Sequence, residues 1–301
     1  MSRQTKPQWE KQNPVDQYPK PPFPRQPQER PGGINQMDPL PDHGEESYKG
    51  SGRLKGRKAL VTGGDSGVGR AAVIAFAREG ADVAFNYLPS EEENAQEVVK
   101  LIEAEGRIAV PLPGDLADEA FCKKLIEDAA KGLGGIDILV NNAGRQTAQE
   151  SILDITTDQF DNTFKVNVYA LFWLCKAAMS YLGPGASVIN VTSVVAYNPI
   201  EVLLDYSSTK AAIAAFTKAF AQQVAQKGIR VNGVAPGPFW TPLQTSGGQP
   251  QEMIEKFGAM TPLGRPGQPA EVGPLFVLLA SQESSYITGE VMGISGGMMP
   301  N

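Results

Sequence analysis

Lys58-Ala59-Leu60-Val61-Thr62-Gly63-Gly64-Asp65-Ser66-Gly67-Val68-Gly69 decides how the chain is read. An apolar run ending at Thr62 reads as a buried strand, and spaced glycines separate it from a helical pattern that begins at Val68. Glycine lets a backbone turn tightly and approach a pyrophosphate with no Cβ in the way. The free N–H groups at the start of the helix behind it favour that anion. Glycines also serve ordinary turns, so the place of this cluster between a strand and a helix is what gives it meaning.

Outward from this turn, short apolar runs alternate with longer amphipathic ones. Residues 58–62, 82–87, 107–112, 136–141, 187–192 and 229–235 read as buried parallel strands, with a seventh at 290–294. Helical patterns fall at 68–79, 90–105, 118–131, 158–181, 206–226 and 270–280. This alternation predicts an α/β fold: a doubly wound, Rossmann-type parallel sheet of about seven strands with helices on both faces, in one domain over residues 51–301. Residues 1–50 differ, holding 10 of the 24 prolines. Proline removes backbone donors and keeps the chain extended, so this stretch reads as an N-terminal arm without a core of its own. Two readings stay open for it: a disordered tail, or an arm laid along a subunit surface by Trp9, Tyr18 and Phe23.

Composition narrows the function. With 33 acidic and 27 basic side chains the formal charge is -6, which gives no electrostatic reason to expect nucleic acid or an anionic membrane as partner. Cys122 and Cys175 are the only cysteines and read as packed, reduced thiols; no metal site is expected. The one histidine, His43, sits in a polar stretch and reads as a surface residue. No apolar run has the length of a signal peptide or membrane span, and a cytoplasmic location is the expectation.

The spacing Gly63-x3-Gly67-x-Gly69 resembles the TGxxxGxG turn of the short-chain dehydrogenase/reductase family. Asn141-Asn142-Ala143-Gly144, Ser193, Tyr206-Ser207-Ser208-Thr209-Lys210 and Pro236-Gly237 resemble further family segments in the same order. The likeness covers residues 53–298 and is nearest to the glucose/ribitol dehydrogenase-like branch, whose members also carry a Pro-rich arm and a stretch like that at 37–42. It implies an NAD(P)-dependent oxidoreductase acting on CH–OH groups, commonly a homotetramer.

Tyr206 and Lys210 are four apart on a helical pattern and so share a face. A free tyrosine titrates near pKa ~10, and a nearby ammonium should lower that value and make Tyr206 a workable acid or base. The resemblance implies this role for it, implies that Lys210 also bonds the nicotinamide ribose, and makes Asn167 a fourth catalytic residue at a helix kink. Ser193, at the end of a strand, can hydrogen-bond the substrate oxygen as charge builds there. For the cofactor, the resemblance implies Gly63, Asp65, Ser66, Gly67, Val68 and Gly69 at the pyrophosphate turn. It further implies Tyr87, Leu88, Asp115 and Leu116 near the adenosine, Asn142, Ala143 and Gly144 beside the ribose, and Pro236, Gly237 and Thr241 near the nicotinamide. The end of the second strand, residues 85–90, shows neither a carboxylate nor an arginine, whereas Asp65 is acidic; NAD and NADP both stay open.

Residues 239–260 lie where the family keeps a mobile substrate loop, and Phe239 and Trp240 could be an apolar wall or core. Neither loop beside the predicted site carries a charged cluster for a phosphorylated or acidic substrate, apart from Glu201 and Asp205, so a small neutral aldehyde, ketone, sugar or polyol is the expected substrate. A ketoacyl-type thioester reductase shares every motif, and a non-catalytic dinucleotide-binding protein could be built on the same fold. Proteins of that last kind typically lose the tyrosine or lysine that this chain keeps.

Overall fold

The computed structural model describes residues 6–298 of the 301. Residues 1–5 of the expected arm and 299–301 of the expected domain lie outside the described residues. The chain begins its main body with strand β1 (Lys58–Thr62), then helix α1 (Gly67–Arg78), β2 (Asp82–Tyr87), α2 (Glu92–Ala104), β3 (Ala109–Pro113) and α3 (Glu119–Leu133). The second half follows with β4 (Ile138–Asn141), α4 (Thr157–Phe164), α5 (Ala170–Ala178), β5 (Ser187–Val191), α6 (Leu204–Val224), β6 (Arg230–Pro236), α7 (Gln251–Glu255), α8 (Pro269–Ala280) and β7 (Val291–Ile294).

All seven strands pair in parallel, in the order β3-β2-β1-β4-β5-β6-β7. Successive side chains in a strand point to opposite faces, and the core divides accordingly. Ala59 and Val61 of β1 join the apolar layer under α1 and α8, while Leu60 joins the layer under α3, α5 and α6. Chain order reverses where β1 lies between β2 and β4, which opens a crevice beyond the C-terminal strand ends.

Several boundaries depart from the sequence reading. Pro89 opens a 3-10 turn, Pro89–Glu91, so α2 starts two residues later than the expected 90. The strand expected from 107 begins at Ala109. The single helix expected over 158–181 is split by a π-helical turn, Lys165–Tyr169, with Asn167 inside it.

The described part of the arm is not a loose tail: it packs along the surface of the chain's own body. Phe23 and Met37 form a small core with Trp240, Ile254 and Phe257, and the Phe23 and Trp240 rings lie 4.4 Å apart. Phe23 N donates to Glu255 O at 3.0 Å, Gln28 N to Thr245 O at 3.1 Å, and Trp240 Nε1 to Pro39 O at 2.7 Å. Trp240 is therefore core, with no exposed surface. His43 is buried as well, its Nδ1 3.2 Å from Glu45, because the end of the arm tucks in beside α1.

Candidate active site

One cleft of about 550 Å³ lies over the C-terminal ends of the strands. At its near end, Gly63 and Gly67 have φ of +60° and +51°, which only glycine adopts without strain. A Cβ at Gly69 would stand 1.9 Å from Gly63 O, so this glycine packs beneath the turn and does not reach the cleft wall. Ser66 caps α1 without a side-chain hydrogen bond, and no acidic residue lies in the first turn. The leading amides of α1 thus face the cleft unpaired by side chains, a seat for a diphosphate.

Asn142 ties this turn to β4. Its Nδ2 donates to Thr62 O at 2.9 Å and Gly63 O at 3.1 Å, while Thr62 Oγ1 accepts from Asn142 N and Ala143 N at 2.9 and 3.0 Å. Asp65, Ser66 and Val68 line the cleft at this end, with Tyr87 and Leu88 at the end of β2 and Asp115 and Leu116 after β3. Asp65 is buried and its Oδ2 has no hydrogen-bond partner. Glu91, which sequence reasoning missed by stopping at residue 90, folds back to hydrogen-bond Asp65 in the cleft wall. The strand end is therefore not free of carboxyl groups. Burial and mutual repulsion hold Glu91 above the ordinary carboxylate range, and burial does the same to Asp65.

Farther along, Gly144, Ser193, Tyr206, Lys210, Pro236 and Gly237 share the wall, with Thr241 opposite Gly67. Tyr206 and Lys210 leave α6 on one face, and Lys210 Nζ lies 5.3 Å from the Tyr206 ring centre. Lys210 Nζ also donates to Val191 O at 2.8 Å. Ser193 hydrogen-bonds the Tyr206 hydroxyl. Asn167 stands just behind this wall: its Nδ2 donates to Arg145 O at 3.0 Å and Thr209 Oγ1 at 2.9 Å, and its Oδ1 accepts from Arg145 N at 2.7 Å. A methyl group placed on Gly144 would be 3.6 Å from both Asn167 Oδ1 and Lys210 Nζ.

The electrostatics differ from expectation in one respect. Burial raises the Tyr206 phenol, opposed by the hydrogen bond from Ser193. Burial likewise brings the Lys210 ammonium down to about 7, so the cation expected to acidify the phenol is itself pushed toward neutrality. Both thiols are buried away from the cleft, and burial moves each up to about 12. Among the described residues no group of three or more His, Cys, Asp or Glu side chains is placed to hold a metal ion.

The same order of glycine turn, Asn-Asn-Ala-Gly, serine and Tyr-x3-Lys now stands on one crevice of one parallel sheet, and a family model described as "Enoyl-(Acyl carrier protein) reductase" matches residues 63–299. The chain belongs to the short-chain dehydrogenase/reductase family. It is 58% identical to the uncharacterized oxidoreductase YhxD of Bacillus subtilis, over 95% of this chain and 97% of the relative. It is 41% identical to the glucose and ribitol dehydrogenase of Daucus carota, over 93% of this chain and 98% of that one. A solved short-chain dehydrogenase from Burkholderia cenocepacia, in complex with NADP, superposes with a TM-score of 0.76 at 35% identity, covering 82% of this chain and 99% of that one. This member of the family is accordingly an NAD(P)-dependent oxidoreductase, and the glycine turn, the unpaired α1 amides and the unpartnered Asp65 Oδ2 fit a dinucleotide.

Two parts of the wall came from residues with no motif to announce them. Arg30 and Pro31 of the arm line the cleft beside Ser246 and Gln146. No helix among the described residues is long and apolar enough to cross a membrane.

Proposed function

We propose that the enzyme interconverts a small aldehyde or ketone, sugars and polyols included, with its alcohol, and that Tyr206 exchanges the proton. The observation that carries this reading is the convergence of Tyr206, Ser193 and Lys210 on one buried wall a short way from the glycine turn. The name of the Daucus carota relative supports the substrate class.

In this reading Gly63, Gly67 and the α1 amides hold the diphosphate, Asp65, Tyr87, Leu88, Asp115 and Leu116 surround the adenosine, and Asn142, Ala143, Gly144, Pro236, Gly237 and Thr241 place the nicotinamide half. The bound nicotinamide supplies or accepts the hydride. Ser193 orients the substrate oxygen, and the Tyr206 hydroxyl, kept protonated by burial, donates to that oxygen in the direction of reduction. Lys210, whose ammonium burial makes easier to deprotonate, can return a proton toward the phenolate left behind. Asn167 fixes the loop that carries Gly144 and Arg145 against α6 through Thr209.

NAD is the cofactor that the wall favours. A 2′-phosphate beside Asp65 and Glu91 would meet two carboxyl groups, and the nearby Arg70 is already committed to Glu45 and Glu97 at 3.0 and 3.1 Å. Exposed Phe160, Tyr169 and Phe172 on α4, the π turn and α5 support self-association, with a homotetramer as the expected state.

The test is Tyr206→Phe, read at 340 nm with a panel of aldehydes, sugars and polyols. Turnover should fall by about 10²–10⁴, with cofactor affinity changed less than about threefold because the phenyl ring still fills the same wall. Equal loss of both would mean that the tyrosine only supports the fold.

A further inference from the structure

The charges on the cleft wall are sorted by end. Its carboxyl groups, Asp65, Glu91 and Asp115, all stand at the glycine-turn end. Beyond Lys210 the charged side chains on the wall are Arg30 from the arm, Arg145 from the loop after β4 and Lys256 from the segment after α7. Neither Glu201 nor Asp205 reaches the wall. The Asp205 carboxylate is buried and turned to Thr163 Oγ1 at 2.8 Å and Gln159 Nε2 at 3.2 Å.

The two guanidinium groups lack a carboxylate. Among the described residues neither Arg30 nor Arg145 forms an ion pair. Arg30 is aimed by hydrogen bonds from Nε to Ser246 O at 3.2 Å and from Nη2 to Gln146 O and to Thr147 Oγ1, the last at 2.6 Å. The Arg145 Nε is buried and has no partner at all. Burial first, and then the charge of Arg145, disfavours the Arg30 cation, only partly offset by the charge of Asp205. Two partly desolvated cations that repel each other are costly unless a counter-charge arrives.

We propose that Arg30 and Arg145 receive an anionic group, a carboxylate or phosphate ester, carried by the small carbonyl or alcohol substrate. This rests on the oxidoreductase reading of the same cleft and adds the charge of what it turns over. A planar guanidinium matches both kinds of oxyanion, and a pair of them fixes the end of the molecule opposite its reacting carbon. The neutral substrate expected from the sequence was inferred from two loops; the arm, whose Arg30 changes the balance, was not counted as part of the site.

The unmodified full-length enzyme can be tested with matched substrates: succinic semialdehyde against butanal, and glyceraldehyde 3-phosphate against glyceraldehyde. We expect kcat/KM for at least one charged member to exceed that of its neutral partner by tenfold or more, and the ratio to shrink as salt is added. The pair that shows the larger ratio assigns carboxylate or phosphate. Arg145→Gln and Arg30→Gln should each bring the ratio toward one, and Arg145→Lys should keep part of it. Cofactor titration by fluorescence shows whether each variant still binds dinucleotide. Neutral members turned over as well as charged ones would overturn the anion site and leave the oxidoreductase reading standing. Bound cofactor with no turnover of any of the four, nor of the panel of aldehydes, sugars and polyols, would overturn that reading and the anion site with it.

Discussion

Asp65 and Glu91 are two acids sharing one buried corner, and their titration has a definite sign. Folding raises the affinity of this pair for a proton, so across and above the usual carboxylate range, about pH 4–5, the native state holds more protons than the unfolded chain. Stability contributed by the pair is therefore present at low pH and falls as pH rises. Glu91→Gln keeps an acceptor for Leu88 N, which Glu91 Oε2 now takes at 3.1 Å, while removing the second negative charge. The variant should gain on the order of 1 kcal/mol at pH 7–8, a Tm rise of roughly 1–2 °C, and the gain should vanish toward pH 4. The same variant should move the kcat/KM ratio toward NADP. Thermal melts across pH and paired cofactor kinetics check both; a Tm gain that persists unchanged at pH 4 would remove the shared-proton account.

At the scale of elements, the β1–turn–α1 unit works because a backbone oxygen occupies the place where a Cβ on Gly69 would be. With 1.9 Å to Gly63 O and 2.5 Å to Asn142 Nδ2, Gly69→Ala must spread the turn from β4 and break the Asn142 bonds. Cofactor affinity measured by titration should drop at least tenfold, about 1.4 kcal/mol or more; wild-type affinity would show that the turn can relax around a methyl group. This unit was legible in the sequence, since glycine spacing reports local backbone geometry directly. So was the Tyr206-x3-Lys210 pair, because helical periodicity alone puts both on one face. The π turn at Asn167 left no mark in the hydrophobic pattern, because Val166, Val168 and Tyr169 continue an ordinary amphipathic run. Glu91 was hidden for another reason: whether an acid four residues past a strand (91 against 87) returns to it depends on the turn that Pro89 starts.

For the molecule as a whole, the arm was the least legible part, since many of its partners lie more than 200 residues away in the chain. Proline-rich composition says that a segment is extended; it does not say which surface the segment lies on. Phe23→Ala should cost about 3 kcal/mol of arm docking while leaving the sheet intact. Hydrogen exchange should therefore quicken at the Phe23 amide and across residues 240–257, with strand amides unaffected. Uniform protection would mean that the arm contributes nothing to holding that loop. Proteins of this family are expected to close a loop on binding; here Gln28, Pro31 and Pro39 already grip it through Thr245, Ser246 and Trp240. That grip also sets an order of events at birth. The arm leaves the ribosome well before its seat, so Phe23 and Met37 must wait uncovered until residues 240–257 have been synthesised.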